Sequence, residues 1–240
     1  MKQLTIFPDP ATLAKKVGQQ LMEWIAQSQA PLFHLALSGG STPNLLFQEL
    51  VDRYADSEFW QKTHFWWVDE RMVEPVDPES NYGTAKRLLL SKIKIPEGNI
   101  HRIRGEQEPS REVVTYASEI VEAVPMKGGW PRFDLILLGM GDDGHTASIF
   151  PGNLTLLESD HLCEVASHPV TFQQRITLTG KVLNHAGIVC FMVTGESKAE
   201  RMSDILLNGA NRSWLPASHI QPLDGELYWM ADQGAAKLLT

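Results

Sequence analysis

Cysteine is nearly absent, with Cys163 and Cys190 the only two in 240 residues. Without C-x-x-C spacing, the pair gives neither a disulfide framework nor a metal-ligand set. No apolar run approaches the about 20 residues that a membrane-spanning helix requires. Positive charge is also scarce, with 21 Lys and Arg against 29 Asp and Glu and a formal net charge of -8. That balance disfavours nucleic acid or a membrane surface as a partner, and it obliges any anionic substrate to find a local cluster of cations. The glycine-rich turn at residues 38–43 lacks the spacing and the Gly-Lys pair of a nucleotide P-loop, and the G-x-S-x-G of a nucleophile elbow is missing. So are internal repeats, low-complexity segments and linker-like composition.

What remains is a chain with 43% hydrophobic residues, enough to bury a core as one large α/β domain or two small ones. With no linker to divide it, residues 1–240 are expected to form a single domain. Reduced thiols point to a cytoplasmic protein. No feature sets the number of subunits.

Short apolar segments alternate with amphipathic ones. Residues 4–7, 32–37, 64–68, 133–138, 187–193 and 227–231 read as strands. Asp9 followed by Pro10 gives an N-cap and a proline at the first helical position, and Leu13, Val17, Leu21, Trp24 and Ile25 then form one apolar stripe. A second helix holds Leu45, Leu46 and Leu50, and Ser80-Asn81 caps a third that runs to about residue 90. Val113, Ala117, Ile120 and Val124 mark a fourth, with Lys127-Gly128-Gly129 ending it. Asn208-Gly209 stops a helix entered through residues 194–198. Residues 95–104 read as a loop with a short strand, and 174–179 as a half-exposed strand. The alternation predicts an α/β fold of Rossmann-like type, a doubly wound, mostly parallel sheet with helices on both faces.

The polar turns at the strand ends carry the chemistry. Ser38, Gly39, Gly40, Ser41 and Thr42 join a strand to a helix start, where free N–H groups and hydroxyls favour an anion. The same turn reads equally as an ordinary βα connection with a Ser/Thr cap. Asp69-Glu70-Arg71 closes another strand, and Arg71 there is either a contact for a substrate anion or one member of a solvated charge run. Residues 138–152 place Asp142, Asp143 and His145 in a glycine-rich turn directly after a buried strand, the position where open α/β sheets hold their sites. A histidine, with an ordinary pKa of about 6.5, suits a general base. Arg175 has no role that spacing can assign. Lys198, in a first helical turn, opposes the helix dipole unless it faces an anion.

Taken together, S-G-G-S-T-P at 38–43, V-D-E-R at 68–71 with S-N-Y-G at 80–83, G-M-G-D-D-G-H-T-A-S-I-F-P-G at 139–152, R-I-T at 175–177 and G-E-S-K-A at 195–199 resemble the 6-phosphogluconolactonases in order and spacing over essentially the whole chain. The resemblance extends more loosely to the glucosamine-6-phosphate deaminases. It implies a phosphorylated sugar lactone as substrate, its phosphate held by the turn at Ser38–Thr42 with Arg175 and Lys198 as cationic partners. It also implies His145 as general base, Asp143 as its orienting or charge-stabilising partner and Arg71 as a contact to the lactone or its oxyanion. Asp69 matches the proton-transfer base of the deaminases. Those enzymes carry a glutamate five residues after the matching histidine, where this chain has Phe150, and an aromatic residue after Asp-Glu, where it has Arg71. Both departures favour lactone hydrolysis, which needs neither cofactor nor metal. A deaminase or isomerase activity and a non-catalytic sugar-phosphate sensor are the alternatives, and the absence of a DNA-binding module argues against the sensor.

Overall fold

A computed structural model describes residues 2–239. In chain order the strands are β1 Lys2–Phe7, β2 Phe33–Leu37, β3 Thr63–Trp67, β4 Asp69–Arg71, β5 Met126–Lys127, β6 Trp130–Pro131, β7 Leu135–Leu138, β8 Cys163–Ser167, β9 Gln174–Leu178, β10 Ile188–Val193 and β11 Glu226–Asp232. The helices are α1 Pro10–Gln27, α2 Ser41–Tyr54, α3 Asn81–Ala85, α4 Pro109–Ala123, α5 Thr155–Glu158, α6 Gly180–Asn184 and α7 Ala199–Leu206. Asp9 caps α1 as expected, its carboxylate accepting from the Thr12 N–H at 2.8 Å.

Six parallel strands form the central sheet in the order β1-β11-β10-β7-β2-β3. Every residue of β2 and β7 is buried. Successive side chains of a strand point to opposite faces, so burial of all of them requires cover on both faces. The chain runs outward from β2 to β3 on one side and from β7 through β10 to β11 on the other. The carboxyl ends of β2 and β7 therefore flank the point where strand order reverses, and a ligand crevice belongs there. The Ser38 N–H donates to the Leu137 carbonyl at 3.1 Å and so closes the floor of that crevice.

Three local readings are corrected. Gly128 and Gly129 do not end α4, which stops at Ala123; with φ of 60° and 85° they turn the β5–β6 hairpin. The expected strand within 95–104 reduces to a single bridge between Phe65 and Ile100 beside a 3-10 turn at Glu97–Asn99. The 174–179 strand is mostly buried, because it lies in the middle of a second, antiparallel sheet of order β4-β9-β8. That sheet was not expected. Val68 joins the two sheets, donating to Leu37 O at 2.9 Å on one side and accepting from the Leu178 N–H at 2.7 Å on the other.

A histidine cluster lies at the opposite, amino-terminal end of β2 and β3. His64 Nδ1 and His101 Nε2 are 2.8 Å apart, Trp66 Nε1 donates to His34 Nδ1 at 3.2 Å, and the Trp66 and His101 rings stack at 3.9 Å. Burial, followed by repulsion from neighbouring imidazoles, pushes His34 and His101 down to about 4. These rings are packing elements, neutral at ordinary pH.

Candidate active site

The cleft over the β2/β7 crevice has a volume of about 240 Å³. Its first wall is the turn after β2. Gly40 occupies φ 105°, ψ -178°, a region that favours glycine, and as N-cap of α2 it supplies no capping side chain. The N–H groups of Ser41 and Thr42, ahead of Pro43 in a 14-residue helix, are thus left unclaimed by any side-chain cap, and both residues line the cleft. The Ser38 hydroxyl is buried without a partner, and Thr42 Oγ1 sits 2.8 Å from Thr194 Oγ1 at the end of β10. A Cβ on Gly39 would lie 1.8 Å from Asn81 Oδ1, so only glycine lets the turn pass this close to α3.

The second wall comes from the small sheet. Alternation along β4 sends Asp69 and Arg71 to one face and Glu70 to the other. Glu70 is buried and accepts from the N–H groups of Arg71, Asn81 and Tyr82, each at 2.8 Å, and from Ser80 Oγ at 3.1 Å. Burial pushes this carboxyl up, and its three backbone hydrogen bonds counteract part of that rise. Glu70 thereby serves the start of α3 and stays out of the cleft. Arg71 is directly paired across the ladder with Arg175. Two like charges at opposed positions destabilise a sheet unless an anion lies between or above them. Arg71 donates to Glu79 O, and the Nε atoms of both arginines are buried without a partner. Arg175 has one carboxylate within reach, Asp69 Oδ2 at 3.9 Å, and burial pushes its pKa down. Asp69 is itself held by Ser148 Oγ at 2.6 Å.

The third wall is the turn after β7. Gly144 and Ala147 take positive φ of 85° and 51°, which curls the chain so that Gly141 N–H donates to His145 O at 2.9 Å. Asp143 Oδ1 lies 2.6 Å from His145 Nδ1 and accepts from the His145 backbone N–H at 3.0 Å. Burial works to raise Asp143, but the imidazole's hydrogen bonds and charge outweigh it and hold the carboxyl below its ordinary value. Asp142 points elsewhere and pairs with Lys198 Nζ at 2.7 Å. The Phe150 ring lies beneath, 4.7 Å from the His145 ring and 5.6 Å from the Arg175 guanidinium.

Every expected site residue except Asp143 lines this one cleft, and Asp143 stands behind His145. Asn81 and Ser148 are additional members: Asn81 Nδ2 fixes the Asp69 carbonyl at 2.9 Å, and Ser148 holds the Asp69 side chain. Their partners lie 12 and 79 residues away in sequence, so no local pattern announces them.

Residues 8–229 match the model of the family described as glucosamine-6-phosphate isomerases/6-phosphogluconolactonase. The chain belongs to this family. Within it, the chain is 42% identical to the 6-phosphogluconolactonase of Haemophilus influenzae over 97% of its own length and 98% of that protein's. It is 44% identical, with the same coverage, to the 6-phosphogluconolactonase of Aggregatibacter actinomycetemcomitans. Among solved structures, that of devB protein has 42% identity and a TM-score of 0.93 with all of both chains covered. The structure of Thermotoga maritima 6-phosphogluconolactonase has 26% identity and a TM-score of 0.83, covering 96% of this chain and all of the other. A monomeric glucosamine-6-phosphate deaminase, 20% identical with a TM-score of 0.81, shares the fold. No helix among the described residues is long and apolar enough to cross a membrane.

Proposed function

We propose that the chain hydrolyses 6-phospho-D-glucono-1,5-lactone to 6-phospho-D-gluconate, a step of the oxidative pentose phosphate pathway, and works as one domain in the cytoplasm. The observation that carries this reading is the Asp143–His145 pair opening onto a cleft whose other walls are built for an anion. The 40–44% identity to curated 6-phosphogluconolactonases over most of the chain supports it. The two buried, unbridged cysteines fit a reducing compartment.

The phosphate sits against the Ser38–Thr42 turn, where helix N–H groups and hydroxyls meet Lys198 and Arg175. Asp143 accepts the Nδ1 proton of His145 and leaves Nε2 free to take a proton. Nε2 removes a proton from a water that attacks the lactone carbonyl carbon, giving a tetrahedral oxyanion that Arg71 stabilises. As the intermediate collapses, the bond to the ring oxygen breaks and the protonated imidazole returns its proton to that oxygen. The product is the open acid, and no covalent enzyme intermediate forms. The phosphorylated lactone is the only partner this scheme requires.

The deaminase alternative asks for a further acid/base group where the Phe150 ring packs between His145 and Arg175, which does not favour it. A coupled assay decides between them. Lactone loss above the spontaneous rate, without ammonia release from glucosamine 6-phosphate, is expected; ammonia release with no lactone hydrolysis would overturn the proposal.

A further inference from the structure

A second cavity of about 230 Å³, nearly the size of the catalytic cleft, lies between α7, β11 and the 3-10 turns Arg212–Trp214 and Pro216–His219. Its wall is mixed: Trp229, Ile205, Leu227 and Ile220 supply the apolar part, and Arg212, Ser218 and Gln221 the polar part. Arg212 and Gln221 stand at the neck, where it meets a wider surface depression.

The charge here is unusual for this chain. None of the 29 acidic residues lines either hollow among the described residues. Among the described residues Arg212 has no ion pair, and its Nε is buried without a hydrogen-bond partner. Asp204 is taken by Arg201 at 3.1 Å and by Asn211 at 3.4 Å. The Arg212 guanidinium is half-buried, in a protein of net charge -8, and has no acidic partner among the described residues. An anion at the neck would supply that partner, and the apolar part of the wall would take an attached carbon skeleton.

The segment that forms this cavity also touches the catalytic turn. The Ala217 N–H donates to the Gly144 carbonyl at 3.1 Å, and the Leu215 side chain packs so closely on Gly144 that a Cβ there would lie 2.8 Å from Leu215 Cδ2. Gly144 immediately precedes His145. We propose that this cavity is a regulatory site for a small organic anion with an apolar body, its acid group on Arg212 and its body against Trp229, and that occupancy alters turnover through the Leu215/Ala217 contact with Gly144.

Benzoate and phenyl phosphate, which share a body and differ in head group, are suitable probes. Titration followed by amide and indole NMR is expected to shift Ser218, Gln221 and the Trp229 indole with either probe, and the tighter one identifies the head group. Arg212→Gln should weaken that binding at least tenfold, while Arg212→Lys keeps part of it. Because Arg212 bonds to Ser218 through its main-chain carbonyl, neither change removes the local fold. Saturating probe should change kcat or KM by at least twofold in the wild-type protein and not in Arg212→Gln. No shift at these residues, shifts confined to the Ser38–Thr42 turn, or equal binding by Arg212→Gln would overturn the site. Binding with unchanged kcat and KM would overturn its regulatory reach.

Discussion

One oxygen of Asp143 serves two atoms of His145: Oδ1 is 2.6 Å from Nδ1 and 3.0 Å from the backbone nitrogen. The carboxylate thus fixes the ring and the turn that carries it through a single contact point. Replacing His145 with Ala should lower kcat by about two to four orders of magnitude while largely sparing KM. Asp143→Asn should lose a smaller part of the same factor. Steady-state rates corrected for spontaneous lactone opening provide the check, and near wild-type turnover of His145→Ala would remove the histidine from the mechanism.

Removing charge at the anion wall should act on binding. Arg175→Gln and Lys198→Gln are expected to raise KM for the phosphorylated lactone with a smaller change in kcat, measured by the same assay. Unchanged KM in both variants would mean that the phosphate lies elsewhere.

Lys198 is held by the mostly exposed Asp142, and the Lys198 hydrogen bond keeps that carboxyl below its ordinary value. A phosphate bound at Lys198 would compete with this pair. Exposed pairs contribute little, so Asp142→Asn should lower KM by up to about fivefold. The gain should fade as salt is raised. A higher KM in Asp142→Asn would show that Asp142 helps to position Lys198 rather than competing for it.

Gly39 is a steric requirement. The Cβ of Gly39→Ala would meet Asn81 Oδ1 and push Asn81 off the Asp69 carbonyl, at a cost of about 1–3 kcal/mol. A lower Tm together with reduced kcat/KM is expected, and a wild-type melting curve would show that the turn relaxes freely.

Stability should fall in mild acid. His34 and His101 titrate at about 4 in the fold and near 6.5 when unfolded. Above the unfolded value both states are neutral and nothing is lost; below it the unfolded chain takes up protons that the fold refuses, so stability drops as pH falls from about 6.5 toward 4. His101→Phe keeps a ring against Trp66 and removes one of these protons. Urea melts at stepped pH should show a shallower acid slope for this variant.

The central sheet was legible because buried parallel strands are uninterrupted apolar runs, and the turns after β2 and β7 were legible because glycine clusters mark places where the chain must curl. The resemblance to a known family brought Arg175 and Lys198 into the site. The small antiparallel sheet escaped because β8 is short and mixed in polarity, and its partner strand reads as half-exposed until the sheet covers it. Glu70 sits beside Asp69 and Arg71 in sequence yet faces away from them, a consequence of strand alternation that appears only once β4 is known to be extended. Ser148 and the three histidines depend on contacts across tens of residues, and their neighbours in sequence carry no trace of them.

Val68, between β3 and β4, is hydrogen-bonded to Leu37 on one side and Leu178 on the other. The helix-start turn hangs from the parallel sheet, whereas Arg71 and Arg175 ride on the antiparallel one. Two walls of the cleft are therefore joined through one buried residue. A change in side-chain volume at Val68 would act on the spacing of those walls. Such a change would act on the cleft through a residue that does not line it.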